Sequence, residues 1–202
     1  MRQTIINTEK MIRSKKELKE YLEADKAALG RKGKKPKMTD LIWKFEICLR
    51  ELEYYNNLKR GFFGKLAFNY YSFKFFILSV LCGFSIPINV FGKGLSIAHR
   101  GTIVVNSKVR VGSNCRLHAC VNIGTVPGRP DKTPTIGDNC YIAPGAKIYG
   151  DITIASGIII GANSVVNHSF DEENICIAGA PAKKISDLGR LELEDRNRTE
   201  GQ

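Results

Sequence analysis

The chain has 202 residues, 43% hydrophobic and 25% charged, enough for one well-buried domain with an appendage but not for two large ones. Its net charge of +11 is uneven: residues 1–74 hold 18 Lys/Arg against 9 Asp/Glu, and residues 75–202 hold 13 against 11. The basic run Arg31–Lys37 is a Gly- and Pro-containing loop without periodic aromatics, so a solvated face is expected there and nucleic acid is not an expected partner.

Met1-Arg2-Gln3 leads into a polar stretch, so no signal peptide is expected. In residues 14–29 Ser14 and Glu17 form a capping-box pattern and Gly30 a stop, which predicts a first helix. A second is predicted from Thr39 or Asp40 towards Leu58, and a third, aromatic-rich one over Phe63–Leu81. All three read as amphipathic or buried, and none clusters catalytic residue types. The apolar run Phe75–Ile88 is shorter than the ~20 residues that a spanning helix needs. The aromatic, basic stretch Lys59–Lys74 suits helix packing, with peripheral membrane contact as the alternative. Six cysteines without a CxxC suggest neither a zinc site nor a dithiol, and fit a cytoplasmic protein with reduced thiols.

From Gly92 the pattern changes. An aliphatic residue followed by a small one recurs every six residues: Val111-Gly112, Ile136-Gly137, Ile142-Ala143, Ile154-Ala155 and Ile160-Gly161. Val105, Leu117, Ile123, Ile148 and Val166 hold the same register. Three such units make one 18-residue coil of a triangular solenoid, with the aliphatic side chains stacked inside and the small residue allowing a tight corner. The expected fold is mainly β, a left-handed parallel β-helix over residues 89–186, preceded by a small helical region (1–88) and followed by a polar tail (187–202). Cys115, Cys140 and Ala146 fall on a second inward position, four residues after an aliphatic one. The regular repeat is expected to stop near Asn167, with Ala178–Lys184 as a turn.

Ile123 and Ile136 are 13 residues apart, so a seven-residue insertion around Thr125–Asp131 must loop out from a corner. Loops on rigid scaffolds tend to carry function. Counting back in register puts His99 on a repeat position and His118 about one coil further on, roughly 5 Å along the axis. A neutral imidazole can take a proton from an alcohol near neutral pH, which makes His99 a candidate general base. No acidic residue adjoins it, so whatever orients the ring must come from elsewhere.

The repeat, the segment Leu95-Ser96-Ile97-Ala98-His99-Arg100-Gly101, the Pro127–Pro134 loop and the closing Ala178-Gly179-Ala180-Pro181-Ala182-Lys183 resemble the bacterial hexapeptide-repeat acyltransferases. Within them the chain is most similar to serine acetyltransferases and related polysaccharide O-acetyltransferases, over about residues 84–186. The resemblance implies a homotrimer with acetyl-CoA as co-substrate in a groove between neighbouring coils, and no metal. His99 falls on the family's catalytic histidine, with His118 and Asp131 as further catalytic candidates and Lys132 on the acceptor side. Ala143, Gly145, Ala146, Gly161 and Ala162 match small positions along the CoA groove, and Lys183 and Lys184 match partners for its phosphates. Phe84, Ala98 and Thr133 stand where serine acetyltransferases carry Asp, Asp and His, which leaves the acceptor open between serine and a sugar. Zinc carbonic anhydrases share the solenoid but need three His ligands, and no pair here has their spacing. A non-catalytic trimeric scaffold is the remaining alternative.

Overall fold

The structure is a computed structural model and describes residues 11–58 and 61–190. The chain beyond Arg190, which the sequence reading takes as a polar tail, lies outside the described residues, as do Lys59 and Arg60 of the basic aromatic stretch.

Helix α1 spans Lys15–Ala28, α2 Leu41–Asn57 and α3 Phe62–Cys82. The first starts as the sequence predicts: the Ser14 hydroxyl accepts from the Glu17 amide at 3.1 Å, and the Glu17 carboxylate accepts from the Arg13 amide at 2.7 Å. Asp40 caps α2 by accepting from the Trp43 amide. Gly83 ends α3 at φ 76°, a left-handed conformation that suits glycine.

Beyond the helices the chain winds into a solenoid with three parallel faces. The first face holds Phe84–Ser85, Ile103–Val105, Asn122–Gly124, Lys147–Tyr149 and Val165–Val166. The second holds Arg110–Val111, Thr135–Ile136 and Thr153–Ile154, extended by bridges from Phe91 and Phe170. The third holds Ser96–Ile97, Arg116–Leu117, Tyr141–Ile142, Ile159–Ile160 and Cys176–Gly179. Each repeat aliphatic pairs with its counterpart one coil away, as in Leu117↔Ile142↔Ile160 and Ile123↔Ile148↔Val166. Their side chains form one continuous buried core with Cys115, Cys140 and Ala146. Each such burial contributes about 1.5–3 kcal/mol.

The corners explain the sequence's asparagines. Asn114, Asn139 and Asn174 turn the chain from the second face to the third with φ of 57–58°, a left-handed conformation that Asn tolerates better than most side chains. Gly145 does the same at φ 77° on another corner, and there a methyl group would meet the Asn163 side-chain oxygen at 2.0 Å.

Three expectations change. The solenoid does not stop near Asn167, because Ile160↔Ile177 continues the third face for one more coil after a shortened connection through Phe170. Ala178–Lys184 is not a simple turn: Ala182–Ser186 folds back antiparallel on Cys176–Gly179. Nor is α3 mainly buried. Phe62, Phe63, Leu66, Tyr70, Phe73, Phe76, Ile77, Val80 and Leu81 are 40–83% exposed, and only Leu78 and Cys82 are fully covered.

Candidate functional site

The pairing Ile97↔Leu117 spans 20 residues, two more than a regular coil. The inward position of this coil is therefore Ile97, and His99 lies not on a repeat position but on the exposed corner between the third and first faces. The two extra residues fall between Ile97 and Val105 and push His99 and Arg100 outwards. Gly101 closes the excursion by donating its amide to the Cys82 carbonyl at the end of α3.

The residue after each inward aliphatic on the third face forms a line along this corner: Ala98, His118, Ala143, Gly161, Ala178. His118 is the large exception in a line of small residues. Its ring centroid lies 6.0 Å from that of His99 and 4.9 Å from that of Tyr141. Its Nε2 is buried without a hydrogen-bond partner. Burial first, then Arg116 and His99, holds its pKa below the ordinary 6.5, so the ring is neutral at physiological pH. An unpartnered ring nitrogen beside an exposed second imidazole is suited to hydrogen bonding and proton transfer with a bound molecule.

Other expected site residues distribute unevenly. Ala143 and Gly161 lie on the histidine corner, where the Gly161 hydrogen faces Ala178 so closely that a methyl would sit 2.8 Å from its Cβ. Gly145 and the exposed Ala162 lie at this corner too, on successive coils, between the third and first faces. Ala146 does not line a groove: it is fully buried, because its position is the second inward one of the repeat. Lys183 is exposed and makes no ion pair among the described residues, whereas Lys184 is already held by Glu172 at 2.6 Å and Asp187 at 2.5 Å. Two anions beside one ammonium leave Lys184 poorly placed to take a phosphate.

Asp131 and Lys132 are not beside the histidines. The inserted loop leaves the first face after Gly124 and rejoins the second at Thr135, a different corner of the triangle. Lys132 pairs there with Asp151 at 2.7 Å, and Asp131 is exposed. His168 packs against Phe170, remote in the coil order from the other two histidines. Among the described residues no three His, Cys, Asp or Glu side chains gather as a metal site.

A buried polar cluster, absent from the sequence reading, fixes the segment that leads into His99. Arg50 is fully buried, with its Nε 2.7 Å from Asp25 and one terminal nitrogen 3.0 Å from Glu53. It also donates to the Phe91 and Gly92 carbonyls. Asp25 in turn accepts from the Gly94 and Leu95 amides, and Glu46 accepts from the Ile97 amide at 3.0 Å. Burial, and then the Asp25 charge, pushes the Glu46 carboxyl well above the usual range. The signal was present as Glu46, Arg50 and Glu53 at i, i+4 and i+7 on one helix face. Helical periodicity alone does not show whether such a face meets water or protein.

Comparison with known proteins follows the same lines. Residues 133–168 match the family described as bacterial transferase hexapeptide (six repeats). A serine acetyltransferase of Staphylococcus xylosus is 38% identical over 100 residues, 49% of this chain and 46% of that protein. The chain thus spans about half the length of the curated relatives it matches. Among solved structures, serine acetyltransferase from Brucella abortus strain S19 in complex with coenzyme A superposes with a TM-score of 0.66 at 23% identity, over 87% of this chain and 70% of that one. Serine acetyltransferase from Neisseria gonorrhoeae in complex with serine gives 0.62 at 25% identity, over 86% and 71%. The resemblance drawn from the repeat and the His99 segment therefore holds in sequence and in fold.

Proposed function

We propose that this chain is an O-acetyltransferase that moves the acetyl group of acetyl-CoA to an acceptor hydroxyl, in the manner of the serine acetyltransferases that it resembles, on a coil of left-handed sense. The observation that carries this is the pairing of His99 and His118 across adjacent coils, on the same corner as the small residues Ala143 and Gly161. His99 takes the proton from the acceptor hydroxyl as its oxygen attacks the thioester carbonyl. The CoA thiolate leaves, and backbone N–H groups stabilise the tetrahedral oxyanion. The buried Nε2 of His118 finds its partner on the bound substrates. Small residues along the corner give the pantetheine arm room, and Lys183 is the remaining cation near the closing hairpin for a CoA phosphate.

Asp131 and Lys132 enter if three copies pack side by side, so that the loop corner of one lies against the histidine corner of the next. Asp131 then supplies the carboxylate that the histidine corner lacks, and Lys132 a cation for the acceptor. Acetyl-CoA as co-substrate supports a cytoplasmic location. His99→Ala is expected to cut thiol release from acetyl-CoA at least ~10²-fold, the usual weight of a general base, while the exposed position leaves the fold intact. Unchanged thiol release in the presence of an acceptor, or no binding of CoA, favours a non-catalytic scaffold instead.

The exposed face of α3 supports a peripheral contact with an anionic membrane. No helix of the described residues is long and apolar enough to cross a membrane, yet α3 exposes an aromatic stripe, contains Lys65 and Lys74, and has no acidic residue. An apolar face with cations and no anions suits an interface with anionic lipid. Flotation with phosphatidylglycerol vesicles is expected to carry the protein, and F63S/F73S is expected to release it. If those changes instead split an oligomer in gel filtration, the stripe belongs between copies.

A further inference from the structure

A cleft of about 630 Å³ opens between the loop joining α1 to α2 and the His99 corner. That volume suits a small organic ligand. Arg31, Lys32, Lys35 and Lys37 line it from the loop, and Arg100 lines it from the corner. Trp43 and the first turn of α2 complete its wall. Five cations thus face one carboxylate, Asp40, which is already held by Arg31 at 2.8 Å. Lys32, Lys35, Lys37 and Arg100 make no ion pair among the described residues.

Like charges gathered around a concave surface repel one another unless an anion joins them. The positive end of α2 adds to the same field, partly offset by its Asp40 cap. Arg100 directly follows His99, so one end of the cleft adjoins the proposed base. The two-residue excursion that exposes His99 is also what turns Arg100 towards the helices. A zwitterionic amino acid has no net charge to offset this field, whereas a phosphate carries about two negative charges at neutral pH.

We propose that this cleft binds phosphate, and that the acceptor of the acetyl group carries a phosphate or diphosphate beside its hydroxyl. The second half rests on the acetyl-transfer reading above; the first does not. Cations on the loop hold the phosphate, Arg100 bridges towards the corner, and the hydroxyl is left facing His99.

Two measurements test this separately. In calorimetry with pyrophosphate as probe, wild-type protein is expected to bind with an affinity that falls steeply with salt. K32E/K35E/K37E and Arg100→Ala are each expected to weaken it at least about tenfold, the weight of lost charge-assisted contacts. Equal pyrophosphate binding by wild type and the triple variant overturns the anion site. So does simple competition by CoA, which assigns the anion to the co-substrate, or by phosphatidylglycerol vesicles, which assigns it to a lipid headgroup. In thiol-release assays a hexose 1-phosphate or a nucleoside-diphosphate hexose is expected to outperform serine and free hexose. The triple variant is expected to raise the acceptor KM at least about tenfold without moving that of acetyl-CoA. Serine or free hexose accepted as well as the phosphates overturns the acceptor assignment but leaves acetyl transfer standing. Pyrophosphate binding without thiol release from any acceptor keeps the anion site and sinks the acetyl-transfer reading.

Discussion

The coil that carries His99 and the coils below it hold together by different means. From Ile136 to Val166 the solenoid is a stack of aliphatic side chains at fixed spacing, buried almost without polar contacts inside. The segment Phe91–Ile97 is instead gripped from the side by Asp25, Glu46 and Arg50 of the helices, through five backbone amide or carbonyl groups, with Glu53 holding Arg50 and the Asn89 amide just before the segment. The stack absorbs the inserted loop between Gly124 and Thr135 because the aliphatics on either side keep their inward register, with Val111↔Ile136 and Ile136↔Ile154 still paired. The His99 coil carries two extra residues, and a polar clamp holds the strand that leads into its bulged corner.

The clamp breaks most severely at its centre. Arg50→Ala leaves buried carboxylates without their cation and is expected to cost about 3–5 kcal/mol in denaturant unfolding. It is also expected to lower thiol release per folded molecule, because the segment before His99 loses its fixed position. Ile154→Ala probes the stack on the second face, away from the histidine corner, and is expected to cost about 2–5 kcal/mol with unchanged thiol release per folded molecule. If Arg50→Ala lowers stability alone and not activity, the clamp serves the fold and not the site.

The smallest effect is expected from pH. The folded pKa of His118 lies below its ordinary 6.5, so its contribution is intact above that pH and is lost as the pH falls through the folded value. Unfolding midpoints measured from pH 7.5 downwards should therefore drop below about pH 6.5, and His118→Gln should flatten that slope. An unchanged slope in the variant would place the titration on another group.

Much of the fold was legible from residue order. Ser14 with Glu17, Asp40 before α2 and the aliphatic-small pairs each act within a few positions, so local spacing reveals them. The same spacing placed Cys115 and Cys140 inside, and showed that Ala146 shares their position. The register of His99 was misread because two inserted residues leave no trace in a stretch without regular aliphatics. The separation of Asp131 from the histidines is already implied by the six-residue count, since His118 follows Leu117 whereas the loop follows Ile123, one corner further on.

Sequence by itself determined that the chain stacks in coils of a fixed period and that two histidines fall about one coil apart, because burial of an aliphatic residue at every sixth position depends only on local order. Tertiary structure alone decided that His99 is exposed, that three charged residues from two helices hold the strand before it, and that a cationic loop 60 or more residues upstream shares a cleft with Arg100. Those contacts join residues remote in the chain, and their energies arise only when helix and coil together exclude water.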